Sequence, residues 1–370
     1  MDEILGQSRV IEVLQAALQS GRVHHAFIFH GQEGIGKLTT AKAFAKVLLC
    51  HDPQRDLSGR IIACGACESC RLLSGDGAAS AKAHPDLHII RKELAIFDDE
   101  KKVRDRKLMN IPVEVIRKRF LGPVYLASKL KHQKVFIIDE ADLLDPTGQN
   151  AILKTLEEPP IGTYLILISK SDEELLPTIR SRCQRISFLP LPDEAIRQWI
   201  DKHARELPEA SKGWLLEFAG GSLGRVELAL RNNLAAWAQV ILPALDDASK
   251  GKLAANLGSL IAERIDDFAK KWVSEHENAS KEAANKFAAS LMWVLISQHA
   301  RRRLAALTTK LDPDDPDIGM ELLSPWIGVI DSLNAAEMEI DANVNLGIAT
   351  DHLVSRIYRS LSGEAVFIDA

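Results

Sequence analysis

The residues best suited to chemistry lie in the run Gly31-Gln32-Glu33-Gly34-Ile35-Gly36-Lys37-Leu38, between the apolar stretch Ala26 to Phe29 and a helical pattern from Thr39 to Leu49. A strand, a glycine-rich loop and a helix form the context that binds phosphate. Backbone N–H groups and the helix N-terminus face the anion, and the lysine adds a positive charge. Gly31, Gly34, Gly36 and Lys37 are therefore candidate nucleotide ligands. The next position normally carries a hydroxyl that reaches Mg²⁺, but here it is Leu38, whose side chain coordinates nothing. Thr39 belongs to the same weakened site but comes one residue late, because one helical step turns a side chain by about 100°.

A second motif is Lys134-Val135-Phe136-Ile137-Ile138-Asp139-Glu140-Ala141-Asp142, an apolar strand that ends in adjacent carboxylates. In a nucleotide-hydrolysing sheet, the first acid holds Mg²⁺ through water and the second polarises the attacking water. Asp139 and Glu140 are the candidates for these roles. Thr163 to Ser169 reads as another buried strand, and Ser169 at its end could sense a γ-phosphate or cap the turn. Arg180 and Arg182 follow in Pro177-Thr178-Ile179-Arg180-Ser181-Arg182-Cys183. An arginine suits the stabilisation of phosphate charge from a neighbouring subunit, and the same segment also fits a basic helix terminus. Arg225, in Gly221-Ser222-Leu223-Gly224-Arg225, could reach a phosphate or simply begin a surface helix.

Four of the five cysteines, Cys50, Cys64, Cys67 and Cys70, form two C-x-x-C steps that share Cys67, with one cysteine upstream. Four thiolates suit a closed tetrahedral Zn²⁺ site that staples a surface knuckle without catalysing; an iron–sulfur cluster and free thiols are the alternatives. Cys183 stands apart and reads as a small apolar side chain.

The elements that must position these residues are legible as periodicity. Asp2 to Ser20 and Ile111 to Leu126 have helical spacing, and Pro85 to Ile90 reads as a strand. The charged run 91–107 reads as a solvated insertion. Beyond Pro190 the pattern is helical throughout, first as Asp193 to Glu206, Glu209 to Ala219 and Ser222 to Leu230, and then from Asn233 to Gly363. A charged loop, 310–317, interrupts the last group. The tryptophans at 237, 272, 293 and 326 read as core. With 370 residues, 46% hydrophobic and 26% charged, the chain should form two or three domains. It has neither a membrane-length apolar run nor the build of a signal peptide, so a cytoplasmic location is expected. Its net charge of -5 argues against a free-standing nucleic-acid binder.

Gly31 to Lys37, Asp139-Glu140-Ala141-Asp142 and Ser181-Arg182-Cys183, in this order, resemble the AAA+ subunits of the bacterial sliding-clamp loader. Gly21 to Ala26, the four cysteines and Leu156-Glu157-Glu158-Pro159-Pro160 resemble that family too, so the likeness runs from about residue 4 to about residue 230. Leu38, and the lack of a long Pro-rich extension, resemble the family's non-hydrolysing subunit more than its gamma/tau motor.

The resemblance implies an α/β AAA+ P-loop domain over 1–189, with a parallel sheet, helices on both faces and an inserted zinc knuckle near 50–70. It further implies a three-helix lid over 190–232 and an all-α collar over 233–370. Arg182 would act in trans as an arginine finger on a neighbour's ATP, and Arg225 would be the second sensor arginine. Implied partners are the gamma/tau and delta subunits in a hetero-pentamer, with the sliding clamp and primer-template DNA reached through the complex. Implied cofactors are structural Zn²⁺ and ATP with Mg²⁺, the latter bound without hydrolysis. The alternative within the same family is an ATP-hydrolysing motor.

Overall fold

The computed structural model describes residues 4–73, 84–97, 110–130, 132–252, 256–276, 279–309 and 316–362. Beyond residue 97 the expected solvated insertion lies outside the described residues, as does the loop 310–317 up to residue 315. Two compact units emerge: residues 1–205 with 219–225, and residues 206–218 with 226–370.

In the first unit, every central strand is apolar on both faces, the signature of a parallel sheet covered on both sides. The strands are β1 (Ala26–His30), β4 (Leu87–Ile90), β5 (Lys134–Ile138), β6 (Thr163–Ser169) and β7 (Gln184–Ser187), all parallel, in the order β4-β5-β6-β1-β7. β1 is thus an interior strand, and the loop that follows it opens at the C-terminal edge, where ligands bind in such sheets. β2 (Gln54–Arg55) and β3 (Ile61–Ile62) form a separate small hairpin.

Alternation divides the core in two. Phe27, Phe29, Val135, Ile137, Ile166 and Ile168 pack with α1 (Ser8–Gln19) and α2 (Lys37–Leu48) through Val10, Leu14, Phe44 and Leu48. Ala26, Ile28, Phe136, Ile138, Leu165 and Leu167 face the other way. They meet Val115, Phe120 and Val124 of the helical stretch from Val113 to Val124, and Ile152 and Leu156 of the helix Pro146–Glu157. The stretch of helical spacing over 111–126 contains a π-helical turn, Arg117–Leu121. Buried Lys134 caps its C-terminal end, with Nζ donating to the carbonyls of Pro123 (3.2 Å), Val124 (2.5 Å) and Leu126.

The second unit is helical among its described residues. The helices Leu234–Ala248, Leu257–Glu275, Lys281–Thr308, Pro316–Asp341 and Leu346–Ser362 pack sequential neighbours together, and the last also packs on Leu257–Glu275. Trp237, Trp293 and Trp326 are buried, as the sequence suggests. Trp272 stacks on Phe268 and His276. No described helix is long and apolar enough to cross a membrane.

Candidate nucleotide loop and metal centre

The loop after β1 is shaped by its glycines. Gly31, Gly34 and Gly36 have φ of 139°, 73° and 97°, a region that side-chain-bearing residues avoid. Gly36 stands directly before α2, and a Cβ there would meet nothing within 4 Å, leaving open space at the helix N-terminus. At Gly34, by contrast, a Cβ would collide with Ser222 Oγ and lie 2.8 Å from Gly224 Cα. Residues 219–225 therefore pack directly on the loop. Ser222 Oγ donates to Glu33 O at 2.9 Å, and Gly224 N donates to Gly34 O at 2.9 Å.

Lys37 is buried, and its Nζ donates to Gln32 O at 2.6 Å and to Gly31 O. Burial lowers its pKa, against the pull of the Glu33, Asp142 and Asp139 carboxylates. The lysine thus lies in the field of all three acids. Leu38 turns away from this cluster and packs against the apolar core on the α1–α2 face of the sheet. Thr39 is exposed, whereas Thr40 is buried with Oγ1 donating to Gly36 O at 2.9 Å.

Parallel pairing sets Ile90 opposite Ile138, so the residues just beyond the two strands also meet. Arg91 Nε lies 3.0 Å from Asp139 Oδ2, and Lys92 Nζ lies 2.8 Å from Glu140 Oε1. Burial raises the pKa of both carboxyls; Arg91 opposes this at Asp139 and Lys92 at Glu140. Glu140 itself has φ 58°. Ser169 is buried, and its hydroxyl donates to Ser171 O at 2.5 Å, which caps the turn. The adjacent Lys170 reaches Glu33, with Nζ 2.9 Å from Oε1.

Arg182 sits apart from the loop, just beyond the short helix Pro177–Arg180. Its Nη2 is 2.8 Å from Glu157 Oε1 and its Nη1 donates to Thr178 O at 2.8 Å. Arg225 is half-buried near the start of the helix Leu223–Arg231, where its N–H donates to Ser222 Oγ at 3.2 Å. A cation in a first turn opposes the helix dipole, so helix stability does not account for it.

The four knuckle cysteines converge, with their Sγ atoms all within 4.8 Å of one another. Cys50–Cys67 and Cys64–Cys70 are each 3.9 Å apart. Tetrahedral Zn²⁺ with Zn–S near 2.3 Å needs sulfurs about 3.8 Å apart, so the set fits. N–H groups of Cys64, Cys67 and Cys70 point at Sγ of Cys50, Cys64 and Cys67 at 3.2, 3.3 and 3.4 Å, as expected around thiolates. Such a metal would close the knuckle as a structural staple.

The profile of the family described as "DNA polymerase III, delta subunit" matches residues 6–192. The chain belongs to that DNA polymerase III family. Curated proteins named as DNA polymerase III subunits are similar to about half of the chain. The delta' subunit of Pseudomonas aeruginosa is 35% identical over 199 residues, 54% of this chain and 53% of that protein. The gamma/tau subunit of Mycobacterium bovis is 33% identical over 199 residues, 53% of this chain and 29% of that protein. The chain thus spans about half or less of the length of these relatives. Among solved structures, a DNA polymerase III gamma subunit-related protein of Thermotoga maritima aligns over 95% of this chain and 99% of that one. Its identity is 18% and its TM-score 0.41.

Membership of the DNA polymerase III family does not make the loop a metal site. A Mg²⁺ would need a hydroxyl where Leu38 stands, and would have to displace Arg91 from Asp139 and Lys92 from Glu140. These donors do not fit the ion. The glycine backbone and Lys37 do fit a phosphate. Spacing alone did not reveal Glu33, Arg91, Lys92, Glu157, Lys170 or Ser222 as part of these arrangements. For Arg91 and Lys92 a signal existed: two cations follow one apolar strand, and two acids follow another.

Proposed function

We propose that this chain is the delta prime subunit of the DNA polymerase III clamp loader, a non-hydrolysing AAA+ subunit working in the cytoplasm. On this reading it supplies Arg182 in trans to the ATP of a neighbouring gamma/tau subunit. With gamma/tau and delta it helps place the sliding clamp on primed DNA. Nucleotide can enter its own loop through Gly31, Gly34, Gly36 and Lys37, but is not turned over there. Residues 190–232 serve as the lid and 233–370 as the collar.

The observation that carries the reading is Leu38, a partly buried side chain that packs against the core at the position where a motor presents a hydroxyl to Mg²⁺. The Arg91–Asp139 and Lys92–Glu140 ion pairs support it, since carboxylates held by cations are poor metal and water ligands. Arg182 supports the trans role because it lies near the surface, held by an ion pair with half-exposed Glu157 and by a hydrogen bond to Thr178 O. Such a pair is worth only about 0–1 kcal/mol and is readily exchanged for phosphate. Cys50, Cys64, Cys67 and Cys70 hold zinc in the knuckle.

The test is co-purification and ATPase of a complex reconstituted from this chain with gamma/tau and delta subunits. Assembly, with hydrolysis that depends on Arg182, is the expected result. Failure to associate would contradict the loader role.

A further inference from the structure

Two ammonium groups and one carboxylate converge at the loop in a way that the nucleotide reading leaves unexplained. Glu33 is the third residue of the loop, and its Oε1 lies 2.9 Å from Lys170 Nζ. The same carboxylate exerts the strongest stabilising pull on the Lys37 ammonium. Lys170 opposes the charge on Lys37, so both ammonium groups lie in the field of Glu33. Glu33 also raises the pKa of Lys170 in spite of its burial.

The backbone holds this arrangement in register. Gly31 N donates to Lys170 O at 3.1 Å, tying the end of β6 to the start of the loop, and Ser222 Oγ holds Glu33 O at 2.9 Å. Two lysines around one anionic group is the pattern that a phosphate would make with the same side chains.

We propose that Glu33 is a built-in competitor for the anion site of the loop, and that Lys170 is a phosphate-binding residue which nucleotide must take from it. The carboxylate stands in for a phosphate oxygen and keeps Lys170 beside the loop. An incoming phosphate gains Lys170 only by breaking the ion pair, and meets repulsion from the displaced carboxylate as it does so. Because both side chains are about half exposed, the effect is moderate and weakens with salt. The inference rests on the reading that Gly31 to Lys37 accept nucleotide.

Binding of ADP and ATP to the full chain, followed by calorimetry without Mg²⁺, tests it. Glu33→Gln should bind about 5–10-fold more tightly than wild type, and Lys170→Met several-fold more weakly. Introducing Glu33→Gln into the Lys170→Met background should improve affinity by about twofold or less. Equal or weaker binding by Glu33→Gln, no binding by it at all, or a full gain in the Lys170→Met background would each overturn the proposal. Glu33→Gln with Lys37→Ala separates the two readings. Binding that survives without Lys37 means that nucleotide is not in the loop. Binding that needs Lys37 but ignores Glu33 removes only the competitor.

Discussion

Arg182 and Glu157 form an ion pair, with Nη2 and Oε1 2.8 Å apart, that joins two segments read separately in the sequence. One is Ser181-Arg182-Cys183, and the other is the Leu156-Glu157-Glu158-Pro159-Pro160 run at the end of the helix Pro146–Glu157. Glu157 thus parks the guanidinium at the surface. Arg182→Ala should leave the isolated chain folded, with Tm within about 2 °C of wild type. In a reconstituted loader the same change should lower ATPase by about 10³-fold. Arg182→Lys should rescue little, because an ammonium lacks the planar fork.

Leu38 tests the silence of the loop differently. Leu38→Thr restores a hydroxyl but removes apolar packing, which should cost about 1–2 kcal/mol in a denaturant melt. It should not confer Mg²⁺-dependent turnover on the isolated chain, because Arg91 and Lys92 still hold Asp139 and Glu140. Steady-state hydrolysis by that single variant would mean that these ion pairs do not keep the metal out.

The knuckle makes its own prediction. The purified chain should carry about one zinc per molecule by metal analysis, and Cys67→Ser should carry far less. Hydrogen exchange should then accelerate around residues 50–70 and remain slow in β1, β5 and β6, whose core clusters include none of the four knuckle cysteines. Loss of protection across the whole sheet would make the metal integral to the core.

A fourth prediction concerns the helical unit. Asp246 accepts from His299 Nε2 at 2.7 Å and from Arg303 Nε at 2.9 Å. Burial pushes its carboxyl up, but the bonds from Arg303 and His299 outweigh this and hold it below the usual range. A carboxyl depressed by folding adds stability in full above its unfolded pKa of about 3.9 and loses it as pH falls through the folded value. Asp246→Asn should therefore cost about 1 kcal/mol at pH 7, solvent screening included. The gap from wild type should narrow steadily below about pH 4 in urea melts.

The loop, the acidic strand end and the cysteine knuckle were legible because each is a local signature: glycines at fixed offsets, an apolar run before two acids, repeated C-x-x-C. Ser169 was legible as a strand end, but only the fold shows its hydroxyl turned back on Ser171. Arg91 and Lys92 were absorbed into a charged run. Their roles arise from the β4–β5 register, a long-range property that composition does not encode. The edge strand Gln184–Ser187 escaped notice because Gln184, Arg185 and Ser187 are polar, and only Ile186 is buried. The π-helical turn at Arg117–Leu121 likewise leaves no mark in a 3.6-residue period.

Steady-state ATP hydrolysis by the purified chain, alone and mixed with gamma/tau and delta subunits, as wild type and Arg182→Ala, tests the trans role of Arg182 and the silence of the chain's own loop together. The chain alone should show no turnover, and the activity of the mixture should collapse with Arg182→Ala. Robust turnover by the isolated wild-type chain would contradict the silence of the loop, and a mixture indifferent to Arg182 would contradict the trans role.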